Sequence, residues 1–257
     1  MKKKEVRCIL FHHRCWALIT VILLFALTGQ AAVSNAKGAI DEASRAGQFL
    51  FLTFYDSDNS ALTALSTGIA DFRKSASKKT AVYNARIGDP NEKETAELYK
   101  VWRARFPLLL VIAPNGVVTG GFQLTATNDQ LKQSLEISEL NLKILKQLQG
   151  GKVVLVSLQN NTTKFNSEST KAIDEFIADE QFKQFAGTVL ADPSTKDSRE
   201  FLKQIGQPET MTEATVVILL PPSSIGKILK GNITKADILT SLQACTAGSG
   251  CCPPKKS

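Results

Sequence analysis

Two short apolar runs constrain this chain more than any other feature: Phe49-Leu-Phe-Leu-Thr-Phe-Tyr55 and Val153–Leu158. A strand that is apolar at nearly every position is buried on both faces, which places it inside a sheet with helices above and below. The same pattern follows each run. After the first, Ala61–Ala76 reads as a helix, Thr80–Ile87 as a strand and Asn91–Val101 as a helix, with Glu92 and Glu94 early and Lys100 late, as the helix dipole favours. Leu108–Ile112 and Val117–Phe122 flank Ala113-Pro114-Asn115-Gly116, and Asn-Gly between apolar runs predicts a hairpin. A long helix over Asp129–Gln149 then ends at Gly150-Gly151. After the second run come a helix over Ser167–Asp179, a strand over Thr188–Ala191 and a helix over Ser198–Ile205. Strands over Thr215–Leu220 and Ile225–Leu229 turn at Pro221-Pro222, and a terminal helix capped by Thr234 runs to Ala244. Each half reads β-α-β-α-β-β-α. The repetition is one of architecture, with little residue identity, and a short amphipathic helix over Ala39–Gly47 precedes it.

Of 257 residues, 43% are hydrophobic and 21% charged, an ordinary globular balance. The net charge of +7 is concentrated at the start: Lys2, Lys3, Lys4, Arg7 and Arg14 against Glu5 contribute +4, which leaves +3 for everything else. No clustered basic stripe remains for nucleic acid, so that partner class is excluded. The basic start leads into the uncharged stretch Trp16–Leu27 and then into two small-x-small sites, Gly29-Gln30-Ala31 and Ser34-Asn35-Ala36. Residues 1–36 therefore read as a secretory signal peptide, with an uncleaved signal anchor and a buried core helix as the competing readings. The expected location is periplasmic or secreted, membrane-attached only if the leader stays uncleaved. Both histidines, His12 and His13, precede the apolar stretch, as do Cys8 and Cys15, which fall inside the leader. Without the leader no histidine remains, which excludes Ser-His-Asp and Cys-His nucleophilic sites and histidine-ligated metals.

Residues 37–149 resemble the thioredoxin superfamily. The resemblance rests on Thr53-Phe54-Tyr55 and the loop and helix after it, on Arg105-Phe106-Pro107-Leu-Leu-Leu-Val-Ile before the hairpin, and on Pro114-Asn115-Gly116 followed by Gly120-Gly121-Phe122. Residues 151–244 look like a more degenerate copy. The fold this implies is α/β: two tandem thioredoxin-like domains, each a central mixed sheet flanked by helices. In that superfamily the proline before the third main strand is cis and faces the active-site loop. Pro107 takes that place, with an ordinary trans proline as the alternative, and the second half has Thr212-Glu213-Ala214 there. The family's redox motif is Cys-x-x-Cys at the start of the first main helix, where the helix N-terminus stabilises a thiolate. The matching windows, Asp56-Ser57-Asp58-Asn59-Ser60-Ala-Leu62 and Gln159–Lys164, hold no cysteine. Ser57 and Ser60 lack a base and read as helix caps. Asp56 and Asp58 fall short of the roughly 6–8 oxygens that hold calcium.

The remaining cysteines, Cys245, Cys251 and Cys252, lie in a Gly- and Pro-rich tail over residues 245–257. One incidental disulfide, thiol exchange or covalent linkage, and soft-metal binding are the three readings of that tail. Asn160, Asn161 and Asn232 open glycosylation sequons, which matter only in a eukaryotic secretory pathway. Trp102, with Tyr99 and Phe106, reads as core and as support for Pro107, and Gly120-Gly121 as a hairpin end. No phosphate-binding glycine loop is present and no cofactor is expected. The sequence thus predicts an exported, non-catalytic thioredoxin-like protein that binds another exported protein or a peptide. The groove beside Phe106 and Pro107 is its candidate site, because the resemblance implies that this groove accepts extended segments by backbone pairing. Thiol–disulfide exchange and metal binding by the tail are the alternatives.

Overall fold

A computed structural model describes residues 35–246, with side chains through residue 243. In the first half, helix α1 (Ala36–Arg45) leads into β1 (Phe49–Tyr55), α2 (Ser60–Ser75) and β2 (Thr80–Arg86). Two 3-10 turns, Pro90–Glu92 and Val101–Arg103, bracket the short α3 (Lys93–Leu98). Then follow β3 (Leu108–Ile112), β4 (Val118–Gln123), α4 (Asn128–Leu135) and α5 (Glu139–Gln149). The second half is β5 (Val153–Leu158), α6 (Asn166–Ile177), β6 (Ala186–Ala191), α7 (Lys196–Gln204), β7 (Thr215–Leu220), β8 (Ser224–Lys230) and α8 (Lys235–Thr246).

Each half forms one four-stranded sheet, in order β2-β1-β3-β4 and β6-β5-β7-β8. The two apolar runs, β1 and β5, take the interior positions that their composition predicts. Each pairs parallel with the strand after its first helix and antiparallel with the hairpin strand, as in Thr53 opposite Leu109 and Ser157 opposite Val216. Both hairpins carry a register shift at corresponding places, Val111/Ile112 and Ile218/Leu219. In the first half, Phe49 and Phe51 of β1 pack with Leu65, Ile69 and Phe72 of α2 and with Leu131 and Leu135 of α4. In the second, Leu155 faces Ile173 and Phe176 of α6 and Ile238 of α8. The opposite face, Val154, Val156 and Leu158, meets Phe201 and Leu202 of α7 and α5.

Helix α5 is shared between the halves. Its Leu142 belongs to the first core, while Leu140, Ile144 and Leu148 belong to the second. Its side chains also reach both sheets: Gln149 binds both main-chain groups of Val118, and Gln147 Nε2 donates to the Thr188 carbonyl at 2.9 Å. The long helix predicted over Asp129–Gln149 is therefore two helices. Ser138 Oγ accepts from the Asn141 N–H and starts the second one, which lets the axis turn from one core to the other.

Other boundaries differ for local reasons. The helix predicted over Asn91–Val101 is broken at Lys100, whose φ of 52° is left-handed. Gly120 and Gly121 lie inside β4, opposite Val111 and Leu110, instead of ending the hairpin. A Cβ on Gly120 would overlap Ser134 Oγ of α4, so the absent side chain permits close helix–strand packing. Helix α8 runs two residues past Ala244, so Cys245 lies on its backbone. Among the described residues no helix is long and apolar enough to cross a membrane. The predicted leader falls outside the described residues.

Candidate functional site

The loop after β1 sits at the carboxyl end of two parallel strands, and Asp56, Ser57, Asp58, Asn59 and Ser60 are all exposed there. The cap of α2 is Asn59, whose Oδ1 accepts from the Leu62 N–H at 3.0 Å; Ser57 and Ser60 do not serve as caps. Ser60 is already the first helical residue, and the Ser57 hydroxyl donates back to Asp56 Oδ1 at 3.2 Å. The Ser57 N–H also binds that oxygen, at 2.7 Å, so Asp56 stabilises the turn itself. No cluster of three or more metal-ligating side chains occurs among the described residues. Beneath the loop, on the α2 side of the sheet, lies Thr53, fully buried, its hydroxyl without a partner among the described residues. Ser157 repeats this at the same place in β5. Hydroxyls do not titrate near neutral pH, so neither offers a proton acceptor to a nucleophile above it.

Beside this loop the chain approaches β3. The Phe106–Pro107 peptide bond is cis; Pro107 is buried and Phe106 partly exposed. The Arg105 N–H donates to Gln123 Oε1 at 3.3 Å and the Leu124 N–H to the Pro107 carbonyl at 2.7 Å. No other described group pairs with the main chain of Arg105 or Phe106. Trp102, expected in the core, is 55% exposed. The 3-10 turn that carries it lays its ring against the surface, where with Ile87, Pro90, Ala96 and Val101 it lines a cavity of about 400 Å³. Ile87 ties that cavity to the loop end of the sheet, because its N–H donates to the Tyr55 carbonyl at 2.7 Å. Tyr99 is half-buried, and burial raises its phenol pKa above the ordinary value.

The second half treats the same place differently. Ala214 corresponds to Pro107: each immediately precedes its strand, and the Gly231 N–H donates to the Ala214 carbonyl as Leu124 does to Pro107. Here the segment is already paired. The Lys164 N–H donates to the Thr212 carbonyl at 2.9 Å, the Ala214 N–H donates to the Lys164 carbonyl at 2.8 Å, and Lys164 and Glu213 form an isolated parallel bridge. Loop length makes this possible. Residues 56–59 connect β1 to α2, whereas the longer stretch 159–165 connects β5 to α6 and reaches across. It is held by Asn160, which binds Asp192 through Nδ2 at 2.9 Å and the Thr162 N–H through Oδ1 at 2.9 Å. The second cis bond, Pro221–Pro222, lies at the hairpin turn instead.

The strand order, the helix following each interior strand and the terminal hairpin and helix define two thioredoxin-like folds in tandem, neither with the redox cysteine pair. No family profile matches the chain and no curated protein is similar to it. Among solved structures there are matches. The first two thioredoxin domains of Saccharomyces cerevisiae Eps1p match at 11% identity over 81% of this chain and 96% of that one, with a TM-score of 0.29. Human ERp44, in crystal form II, matches at 9% identity over 86% of this chain and 58% of its own, with a TM-score of 0.33. The N-terminal domain of the alkylhydroperoxide reductase AhpF from Enterococcus faecalis matches at 15% identity over 80% and 98%, with a TM-score of 0.29. Of the tail candidates, Cys251 and Cys252 lie outside the described residues, as does the side chain of Cys245.

Proposed function

We propose that this is an exported, non-catalytic thioredoxin-fold protein that binds an extended, apolar peptide segment beside Phe106 and Pro107 of its first domain. The observation that carries this reading is Leu124. Its φ is 68°, in the left-handed region, where the second domain has Gly231 at 80°. A left-handed conformation costs a side-chain-bearing residue about 1–2 kcal/mol, and such cost is tolerated mostly where a side chain is needed. Here it presents an apolar side chain, 39% exposed, next to the unpaired main chain of Phe106, and the exposed Trp102 lies four residues before Phe106 in the chain. An extended partner would gain main-chain hydrogen bonds from the segment and apolar contact from Leu124 and Trp102. The second domain, its equivalent segment paired to Lys164, serves as support.

Trp102 is the only tryptophan beyond the predicted leader, so its fluorescence reports the site directly. Titration with extended peptides rich in Leu and Phe is expected to shift its emission to the blue and to saturate. Leu124→Gly is expected to weaken binding at least about tenfold, in proportion to one lost apolar anchor, while the urea midpoint stays level or rises. Equal affinity in Leu124→Gly and Phe106→Asp, or no saturable shift, would sink the proposal. Insulin reduction that disappears when Cys245, Cys251 and Cys252 are replaced by Ser would favour thiol exchange by the tail instead.

A further inference from the structure

The two small-x-small sites at the end of the predicted leader differ in what they would remove from the fold. Asn35 is the N-cap of α1: its Oδ1 accepts from the Gly38 N–H at 2.8 Å, and its carbonyl accepts from the Ala39 N–H at 3.1 Å. Ala36 is completely buried, and its N–H donates to Glu92 Oε2 at 2.8 Å. Glu92 is itself only 3% exposed, and its other oxygen accepts from the Tyr83 hydroxyl at 2.8 Å. Residues 35 and 36 thus pin the start of α1 to the turn after β2.

A cut after Ala36 would delete the cap, the first carbonyl acceptor of the helix and the donor to Glu92 Oε2. A buried carboxyl oxygen would then lose its partner, the kind of change that costs more than an exposed bond. A cut after Ala31 removes none of these groups. We infer that the mature chain keeps Asn35 and Ala36, so that the leader is cut before Asn35. The step is a hydrolysis by a leader peptidase. Water supplies the oxygen that completes the leader's new carboxylate, the C–N bond breaks, and the proton goes to the new amino group of the mature chain. This inference rests on reading the N-terminal segment as a cleaved leader.

The test is the intact mass and N-terminal sequence of the protein recovered from the exported fraction of cells expressing the full chain. A first residue from Ala32 to Asn35 supports the inference. A first residue of Lys37 overturns it while leaving the leader reading intact. Retention of Met1 overturns the leader reading itself and the inference with it. Independently, chains beginning at Ala32 and at Lys37 are compared by thermal unfolding. The shorter is expected to melt at least about 5 °C lower, from the lost cap and the unpaired carboxyl oxygen. Equal melting temperatures would overturn the anchoring of α1 by residues 35 and 36 on which the inference stands.

Discussion

Leu124 and Gly231 occupy one backbone position in two copies of one fold, and the choice between them is the sharpest difference between the halves at the scale of single residues. Each donates its N–H to the residue just before the central hairpin strand, and each has a positive φ. Glycine adopts that conformation without strain, and leucine does not. Tyr83 is the residue whose protonation reports most directly on the packing around α1. Burial foremost, and then its hydrogen bond to Glu92, push its phenol up from 10.0 to about 12. A raised folded-state value means that the native chain holds this proton more tightly than the unfolded chain. The stabilisation is fully present below pH 10 and is lost as pH rises toward 12. Urea midpoints measured between pH 9 and pH 12 should therefore fall more steeply for the wild-type chain than for Tyr83→Phe. Parallel curves would contradict the assignment.

At the scale of elements, helix ends and loop lengths decide the character of the site. Helix α2 begins at Ser60 because Asn59 caps it. Asn59→Ala is expected to lower stability by about 1 kcal/mol, whereas Ser57→Ala and Ser60→Ala should stay within about 0.5 kcal/mol, measured by urea unfolding. A larger loss at Ser60 than at Asn59 would show that the cap is misassigned. The connection over residues 56–59 is too short to reach the strand beside it, whereas 159–165 reaches and pairs. One loop thus leaves a main-chain edge open where the other closes it. The segment carrying Trp102 belongs to the same account. A left-handed Lys100 ends the helical stretch early, and the ring comes to lie at the surface.

Across the whole molecule, α5 joins the halves by serving in both. A helix that buries one stripe needs roughly three or four apolar residues in two turns. Helix α5 carries Leu140, Leu142, Ile144 and Leu148 buried, and divides them between two cores. A fragment over residues 151–257 lacks three of the side chains that cover β5, so it is not expected to fold alone. One over 137–257 should regain a cooperative transition. Circular dichroism during urea titration distinguishes the two, and equal folding of both fragments would refute the shared-helix account. At this end of the molecule Lys235 also pairs with Asp179, at 2.7 Å, which holds α8 to the end of α6 and lowers the Asp179 carboxyl below its ordinary value.

Much of the architecture was legible because its signals are local. The apolar runs at β1 and β5, the Asn-Gly turn at Gly116 and the cap at Thr234 depend on residues within a few positions of one another. So does the absence of cysteine at residues 56–62, which a sequence states outright. The double role of α5 was visible in principle, since Leu140, Leu142, Ile144, Leu145 and Leu148 are too widely spread for one helical stripe. The rest depended on partners distant along the chain. Asn59 could be chosen over its polar neighbours only once the helix direction was set. Leu124 meets Pro107 only once β3 and β4 are paired, and Lys164 closed one groove only by pairing with a segment almost fifty residues away. The sequence alone determined the elements and the missing redox chemistry, because propensity and residue identity are properties of short stretches. Which groove stays open, and which residues anchor the start of α1, were decided by tertiary structure, because a main-chain group is free or paired only with respect to what folds against it.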